Sequence, residues 1–156
     1  MIKELVDTWD KGVKSDLVAN YNRLGLRASG KWEQELESQI SVSETNINIK
    51  YLGAKYTEQL QLGRKPNINQ DPSKLHAWVG WAGSTFLKDW VKDKGLSINP
   101  FAVAYKIARE GIKVPNAYNK GGLVSNVITK SKIQELVDKL GIFIINDIKS
   151  DIINVN

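Results

Sequence analysis

Between residues 24 and 32 the apolar period of this chain changes from that of a helix to that of a strand, so the chain must combine both elements. Ile2, Leu5, Val6, Trp9, Val13, Leu17 and Leu24 recur at the spacing of one helix face, with Lys3, Asp7, Lys11 and Lys14 opposite. Gly25 follows the last periodic residue, where a left-handed cap favours glycine, so a long amphipathic N-terminal helix is expected. Trp32, Gln34, Leu36, Ser38, Ile40 and Val42 then alternate with Glu33, Glu35, Glu37, Gln39 and Ser41, the signature of a half-buried strand. Ile47, Ile49 and Tyr51 alternate in the same way after Ser43, Glu44 and Thr45, which predicts a turn and an antiparallel hairpin with Glu33, Glu35 and Glu37 in a row on its outer face.

Further along, Tyr56 and Leu60 fit a helix turn, while Tyr56, Glu58, Leu60 and Leu62 also alternate; a helix is expected. Residues 63–72 carry glycine, two prolines and several Asn and Asp residues, a composition that predicts the main loop. A helix opening at Pro72 and ending at Gly95 would align Leu75, Trp78, Val79, Ala82, Phe86 and Trp90, with Trp81 to one side. Pro100 suits the first turn of the next helix, whose stripe of Phe101, Ala104, Tyr105 and Ala108 is widened by Val103 and Ile107, so that helix is expected to be buried. Residues 116–122 read as a second loop, and Leu123, Val124, Val127 and Ile128 as a short strand or extended lead-in. Ser131 with Gln134 has the form of a capping box, and Ile133, Leu136, Val137, Leu140, Phe143, Ile144 and Ile148 continue one face of a closing helix. The expected fold class is α+β: an antiparallel β-hairpin or small sheet packed against several amphipathic helices. Residues 1–156 are expected to form a single domain, since a chain of 156 residues can bury close to ~70% of its unfolded surface without staples.

Composition removes most chemistries. With no cysteine and one histidine, thiolate zinc, iron–sulfur, thiol-nucleophile and multi-histidine metal sites lack their donor atoms, and no cofactor is expected. His76 has only Asp71 near it in sequence and reads as a surface residue at a helix start. Glu33, Glu35 and Glu37 could act as paired carboxylates or hold a hard cation, but charge on an exposed strand face is the commoner outcome. Gly63-Arg64-Lys65-Pro66 lacks the glycines and the following Ser or Thr of a phosphate loop. No apolar run approaches the ~18 residues of a membrane span, and the N-terminus has no signal-peptide pattern, so a cytoplasmic, membrane-free protein is expected. The net charge of +5 is spread over scattered lysines, a weaker nucleic-acid signal than a clustered face. Four of the five tryptophans fall on predicted buried faces, leaving Trp81 as the candidate for exposed contact.

Three segments, in order, resemble a family of small tailed-bacteriophage proteins. They are Tyr56-Thr57-Glu58-Gln59-Leu60-Gln61-Leu62-Gly63-Arg64-Lys65-Pro66; Leu87-Lys88-Asp89-Trp90 with Lys94-Gly95; and Phe101-Ala102-Val103-Ala104-Tyr105-Lys106-Ile107-Ala108-Arg109-Glu110-Gly111. The family comprises neck, tail-component or tail-completion proteins, closest in flavour to those of Bacteroidetes phages, including the crAss-like phages. Its pattern is an aromatic-led segment ending in a Gly-Arg-x-Pro turn, a helix ending in Lys-Gly, and an apolar helix ending in a Lys-Ile-x-x-Glu-Gly step. The likeness covers residues 56–111; the segment from Tyr118 to Gly122 has no counterpart in it. The resemblance implies a non-enzymatic virion protein, assembled in the bacterial host cytoplasm, that forms a ring or plug at the head–tail junction. Its implied partners are copies of itself, the portal and the tail or other neck proteins, with non-specific contact to packaged DNA also allowed. Arg64 and Lys65 in the rigid turn, Trp81, and the Glu33, Glu35 and Glu37 row are the expected interface residues. The alternative is a nucleic-acid-binding accessory protein that uses Lys and exposed aromatics.

Overall fold

The computed structural model describes residues 1–43, 45–67 and 71–154. The fold is α+β, with helices and two small antiparallel two-stranded sheets. In chain order the elements are α1 (Ile2–Arg23), α2 (Lys31–Gln34), β1 (Glu37–Val42), β2 (Ile47–Leu52), α3 (Thr57–Leu62), β3 (Gly63–Arg64), α4 (Pro72–Ser84), α5 (Phe86–Asp93), α6 (Pro100–Glu110), β4 (Ile112–Lys113) and α7 (Lys130–Asn154). They gather into two compact units that interleave along the chain. Unit 1 holds Met1–Asn20, Leu36–Leu52 and Gly122–Asn156; unit 2 holds Tyr21–Glu35 and Gly53–Gly121.

In unit 1, α1 buries Val6, Trp9, Val13 and Leu17, the face its periodicity predicts. The Trp9 indole donates to the Lys132 carbonyl at 3.2 Å, and Lys132 reaches Asp16 at 3.1 Å, which ties α1 to the start of α7. Buried Asn20 donates to the carbonyls of Gly122 and Leu123, both at 2.9 Å. The β1–β2 hairpin pairs Glu37 with Leu52 through to Val42 with Ile47. Its turn closes by Ser43 N–H to the Asn46 carbonyl at 2.8 Å; Glu44, part of the expected turn, lies outside the described residues.

The strand does not extend back to Trp32. Residues 31–34 form the helical turn α2 instead, because β2 ends at Leu52 and offers no pairing partner before Glu37. Trp32 is buried all the same: within unit 2 it stacks on Tyr21 at 4.6 Å and donates to Thr57 Oγ1 at 2.9 Å.

Unit 2 is built on α4, α5 and α6. Ala82, Leu87 and Ala104 are buried at its centre, flanked by Trp78, Val79, Trp90, Val103 and Ile107. The single helix expected from Pro72 to Gly95 is two helices. At the break, Ser84 and Thr85 hydroxyls donate back to the Gly80 and Trp81 carbonyls at 2.7 and 2.6 Å, and this competition with the backbone bends and ends a helix. Helix α6 is not buried all round: Ala104 and Ala108 are, but Phe101 and Tyr105 face outward. α3 forms as expected. The expected loop begins with a strand, since Gly63–Arg64 pairs with Ile112–Lys113; its residues 68–70 lie outside the described residues.

Residues 123–128 form turns rather than a strand, with the amides of Val127 and Ile128 bonded to the Val124 carbonyl. Helix α7 starts one residue before Ser131. Its cap is Thr129, whose Oγ1 accepts from Lys132 N–H at 3.1 Å, while Gln134 turns forward to Asp138 at 2.8 Å. No helix among the described residues is long and apolar enough to cross a membrane.

Candidate assembly surfaces

The turn carrying Arg64 is held by close backbone approach. Gly63 (φ 85°) and Gly111 (φ 70°) sit in the left-handed half of conformational space, and a Cβ on either would strike the backbone of the paired strand: Ile112 carbonyl for Gly63, Arg64 carbonyl for Gly111. Gly63–Arg64, in the first of the three quoted segments, thus pairs as β3 with β4, the two residues that follow the end of the third segment at Gly111. Asn67, buried, donates its backbone N–H to the Ala108 carbonyl at 2.6 Å, and its side-chain Oδ1 accepts from Arg64 Nη2 at 2.8 Å. The Arg64 guanidinium lies over the Trp78 ring, 4.0 Å from its centroid, and burial lowers its pKa. Arg64 thus clamps the turn onto α4 from within unit 2. One of its five N–H donors is committed to Asn67, so the fork retains capacity for a carboxylate. Lys65 beside it is exposed.

Trp81 is 57% exposed and packs against Phe86 across the α4–α5 break at 5.4 Å, tilted by 57°. The expected acidic row does not exist as a row. Glu33 lies in α2 and pairs with Arg27 at 3.1 Å, Glu35 caps that helix and pairs with Lys31 at 3.4 Å, and only Glu37 belongs to a strand. Two of the three carboxylates are neutralised locally because the chain coils there instead of extending. His76 is exposed on α4.

Three features were not anticipated from sequence. One is a buried polar cluster in unit 1. Asp10 accepts from Ser38 Oγ at 2.7 Å and pairs with Lys14 at 3.1 Å, and Tyr51, the cross-strand partner of Ser38, lies beside it. Burial first, and then the Asp10 carboxylate, pushes the Tyr51 phenol well above its ordinary value. The signal was present in the sequence, because an aspartate at position 10 falls on the same helix face as Val6, Val13 and Leu17. The cluster fastens the hairpin to α1.

The second is α7. Leu136 is buried and Leu140 and Phe143 half-buried, but Ile133, Val137, Ile142, Ile144, Ile145 and Ile148 are all exposed. Periodicity located the stripe of Ile133, Val137, Ile144 and Ile148, though not Ile142 and Ile145, which lie off that face, and it could not say that unit 1 lacks the material to cover it.

The third is a partition of charge and of side-chain type. Unit 2 contains fourteen Lys and Arg against seven Asp and Glu, a net +7; unit 1 contains eight against ten, a net −2. Among the described residues every exposed aromatic, Tyr56, Trp81, Phe86, Phe101, Tyr105 and Tyr118, belongs to unit 2, whereas the large hydrophobics exposed in unit 1 are aliphatic. No family model, curated protein or solved structure matches this chain.

Proposed function

We propose that the chain is a structural virion subunit that assembles with copies of itself into a ring or plug at the head–tail junction of a tailed phage, between the portal and the tail or other neck proteins, without catalysis. The observation that carries this reading is the aliphatic stripe of α7. Four large apolar side chains on one face of that helix, Ile133, Val137, Ile144 and Ile148, are left to solvent, and such patches mark protein contact surfaces. Covering what remains exposed of each isoleucine is worth roughly 1 kcal/mol, so several together suffice to hold a neighbour when many subunits close a ring.

Charge supports the mode of assembly. Ring subunits join head to tail through two different faces, and a chain whose units carry opposite net charge is complementary to its own copy in that sense. Arg64 and Lys65 are the proposed contacts on the basic side, and Trp81 is a proposed aromatic anchor.

The test is the double variant Ile144→Asp, Ile148→Asp. Both side chains are exposed, so circular dichroism should match the unaltered chain, while negative-stain images with the portal should lose the ring. Rings formed at wild-type yield would remove α7 as the assembly surface and the observation on which the proposal stands. A second reading, a nucleic-acid-binding accessory protein acting alone, is favoured by the charge of unit 2; it expects no assembly on a portal at any concentration.

A further inference from the structure

The β1–β2 hairpin is a two-stranded ribbon with both of its long edges open. Ser43 donates its N–H to the Asn46 carbonyl at 2.8 Å, which makes the pair at the turn a hydrogen-bonded one. Alternation along the register then turns the N–H and C=O groups of Glu37, Gln39 and Ser41 inward, toward Leu52, Lys50 and Asn48. The backbone groups of Ser38, Ile40 and Val42 on β1, and of Ile47, Ile49 and Tyr51 on β2, point away from the paired strand, and no hydrogen bond among the described residues engages them. The apolar side chains on these residues are incompletely covered as well: Ile40, Ile47 and Ile49 are half-buried and Val42 is exposed. Only the base of the ribbon is fastened, by Ser38 Oγ donating to buried Asp10 of α1 at 2.7 Å. A two-stranded hairpin is marginal by itself, and an open edge is a template for a further strand.

We propose that the hairpin pairs head to tail with the hairpin of a second copy of this chain, the β2 edge of one meeting the β1 edge of the next in antiparallel register. Backbone chemistry selects the class of partner, because a row of donors and acceptors alternating at strand spacing is satisfied only by another extended chain. The register selects the copy. Setting Ile49 opposite the partner's Ile40 also sets Ile47 opposite the partner's Val42 and Tyr51 opposite the partner's Ser38, and each of these pairs can exchange both N–H···O bonds. Every one of them already exists within the hairpin, so the seam repeats side-chain contacts that the fold has made once. On the outer face Lys50 meets the partner's Gln39, and Glu37 and Lys50, the only charges on the two strands, never face a like charge. Two-fold pairing of β1 with β1 would use one edge and leave the other open, whereas head-to-tail pairing uses both when a ring closes. Closure rests on the connector reading; the pairing itself does not.

The chain has no cysteine, so introduced thiols report without background. Across the proposed seam Gln39 and the partner's Lys50 form a non-hydrogen-bonded pair, whose Cα atoms stand about 4.5 Å apart, within reach of a disulfide. Gln39→Cys and Lys50→Cys are therefore made in separate full-length chains, neither of which can form the bond within itself, and mixed at millimolar concentration under a mild oxidant. Mass spectrometry should find the 39–50 bond as the main product, while Lys11→Cys, at an exposed position on α1, should give only traces with Lys50→Cys. Val42→Pro removes an N–H that faces outward and breaks no bond inside the hairpin. Added to the Gln39→Cys chain, it should leave circular dichroism unchanged and lower the 39–50 yield to that of the Lys11 control.

Amide hydrogen exchange of the unaltered chain gives a readout that needs no variant. In dilute solution the amides of Ile40, Val42, Ile47 and Ile49 should exchange faster than those of Gln39, Ser41, Asn48 and Lys50, and at millimolar concentration the first set should slow while the second does not change. A 39–50 yield no higher than the control, a yield indifferent to Val42→Pro, or outward amides that exchange equally fast at both concentrations would each overturn the proposal. Preferred bonding of Gln39→Cys to a Ser41→Cys chain would mean two-fold pairing through β1 and would overturn it too. The 39–50 bond without a ring on the portal would uphold the pairing and remove the connector reading. Rings on the portal without that bond would do the reverse, so the two fail separately.

Discussion

Tyr51 lies beside Asp10 where the hairpin joins α1, and the titration of its phenol reaches the stability of the whole chain. Burial raises the phenol pKa of Tyr51, with the Asp10 carboxylate adding to it; burial raises Tyr21, with the Glu33 charge adding to it; and burial holds Tyr56 at about 12. In the unfolded chain all three return to about 10. Above that pH the unfolded chain loses protons that the folded chain keeps, so stability is full below about pH 10 and falls as pH rises from there toward the folded values. Urea midpoints measured from neutral to strongly alkaline pH should therefore decline above about 10, and Tyr51→Phe should flatten that decline while leaving the acid side unchanged. A Tyr51→Phe profile that follows the unaltered one would show that the phenol titrates freely. Asp10 itself was legible as a polar residue on an apolar helix face, but its partners Ser38 and Tyr51 lie 28 and 41 residues away in sequence, and nothing in a helical period points to them.

The same division runs through the elements. Helices with a strong apolar period and a cap were read correctly, as α1 and α6 show, because local spacing and local hydrogen bonds settle where such helices lie. Where two local solutions compete, the sequence was misleading. The pattern from Trp32 onward alternates like a strand, but pairing needs a partner, and β2 is only six residues long. The start of α7 is another such case. Ser131 and Gln134 have the right spacing for a capping box, yet Thr129 takes the position because its hydroxyl reaches the Lys132 amide. Thr129→Ala should cost about 1 kcal/mol by chemical denaturation, as should Asp71→Ala and Asn99→Ala at α4 and α6, whose carboxylate and amide oxygens each accept a first-turn N–H at 2.9 Å. Ser131→Ala should cost only a few tenths. Equal losses at Thr129 and Ser131 would mean that the helix starts elsewhere in solution. Exposure was the least legible property of all: periodicity marked the apolar faces of α6 and α7 without telling which of them finds a partner within the chain.

For the whole molecule, the proposed assembly through units of opposite charge should depend on ionic strength. With contacts that are weak one at a time, the isolated chain should sediment as a monomer or small oligomer at micromolar concentration and assemble only on its platform, and raising salt beyond a Debye length of ~8 Å should weaken assembly. A single large species in sedimentation velocity without portal or tail would refute the dependence on a platform, and assembly indifferent to salt would refute the electrostatic share. The interleaving of the units has a temporal side as well. Unit 2 is complete once residue 121 has been made, whereas the indole of Trp9 finds its acceptor at Lys132, 123 residues further on. At ~5–20 residues per second on the ribosome, the apolar face of α1 waits roughly 6–25 s for the segment that closes unit 1. During synthesis the unit that begins first is thus finished last, and a nascent chain halted before α7 would display that face to chaperones.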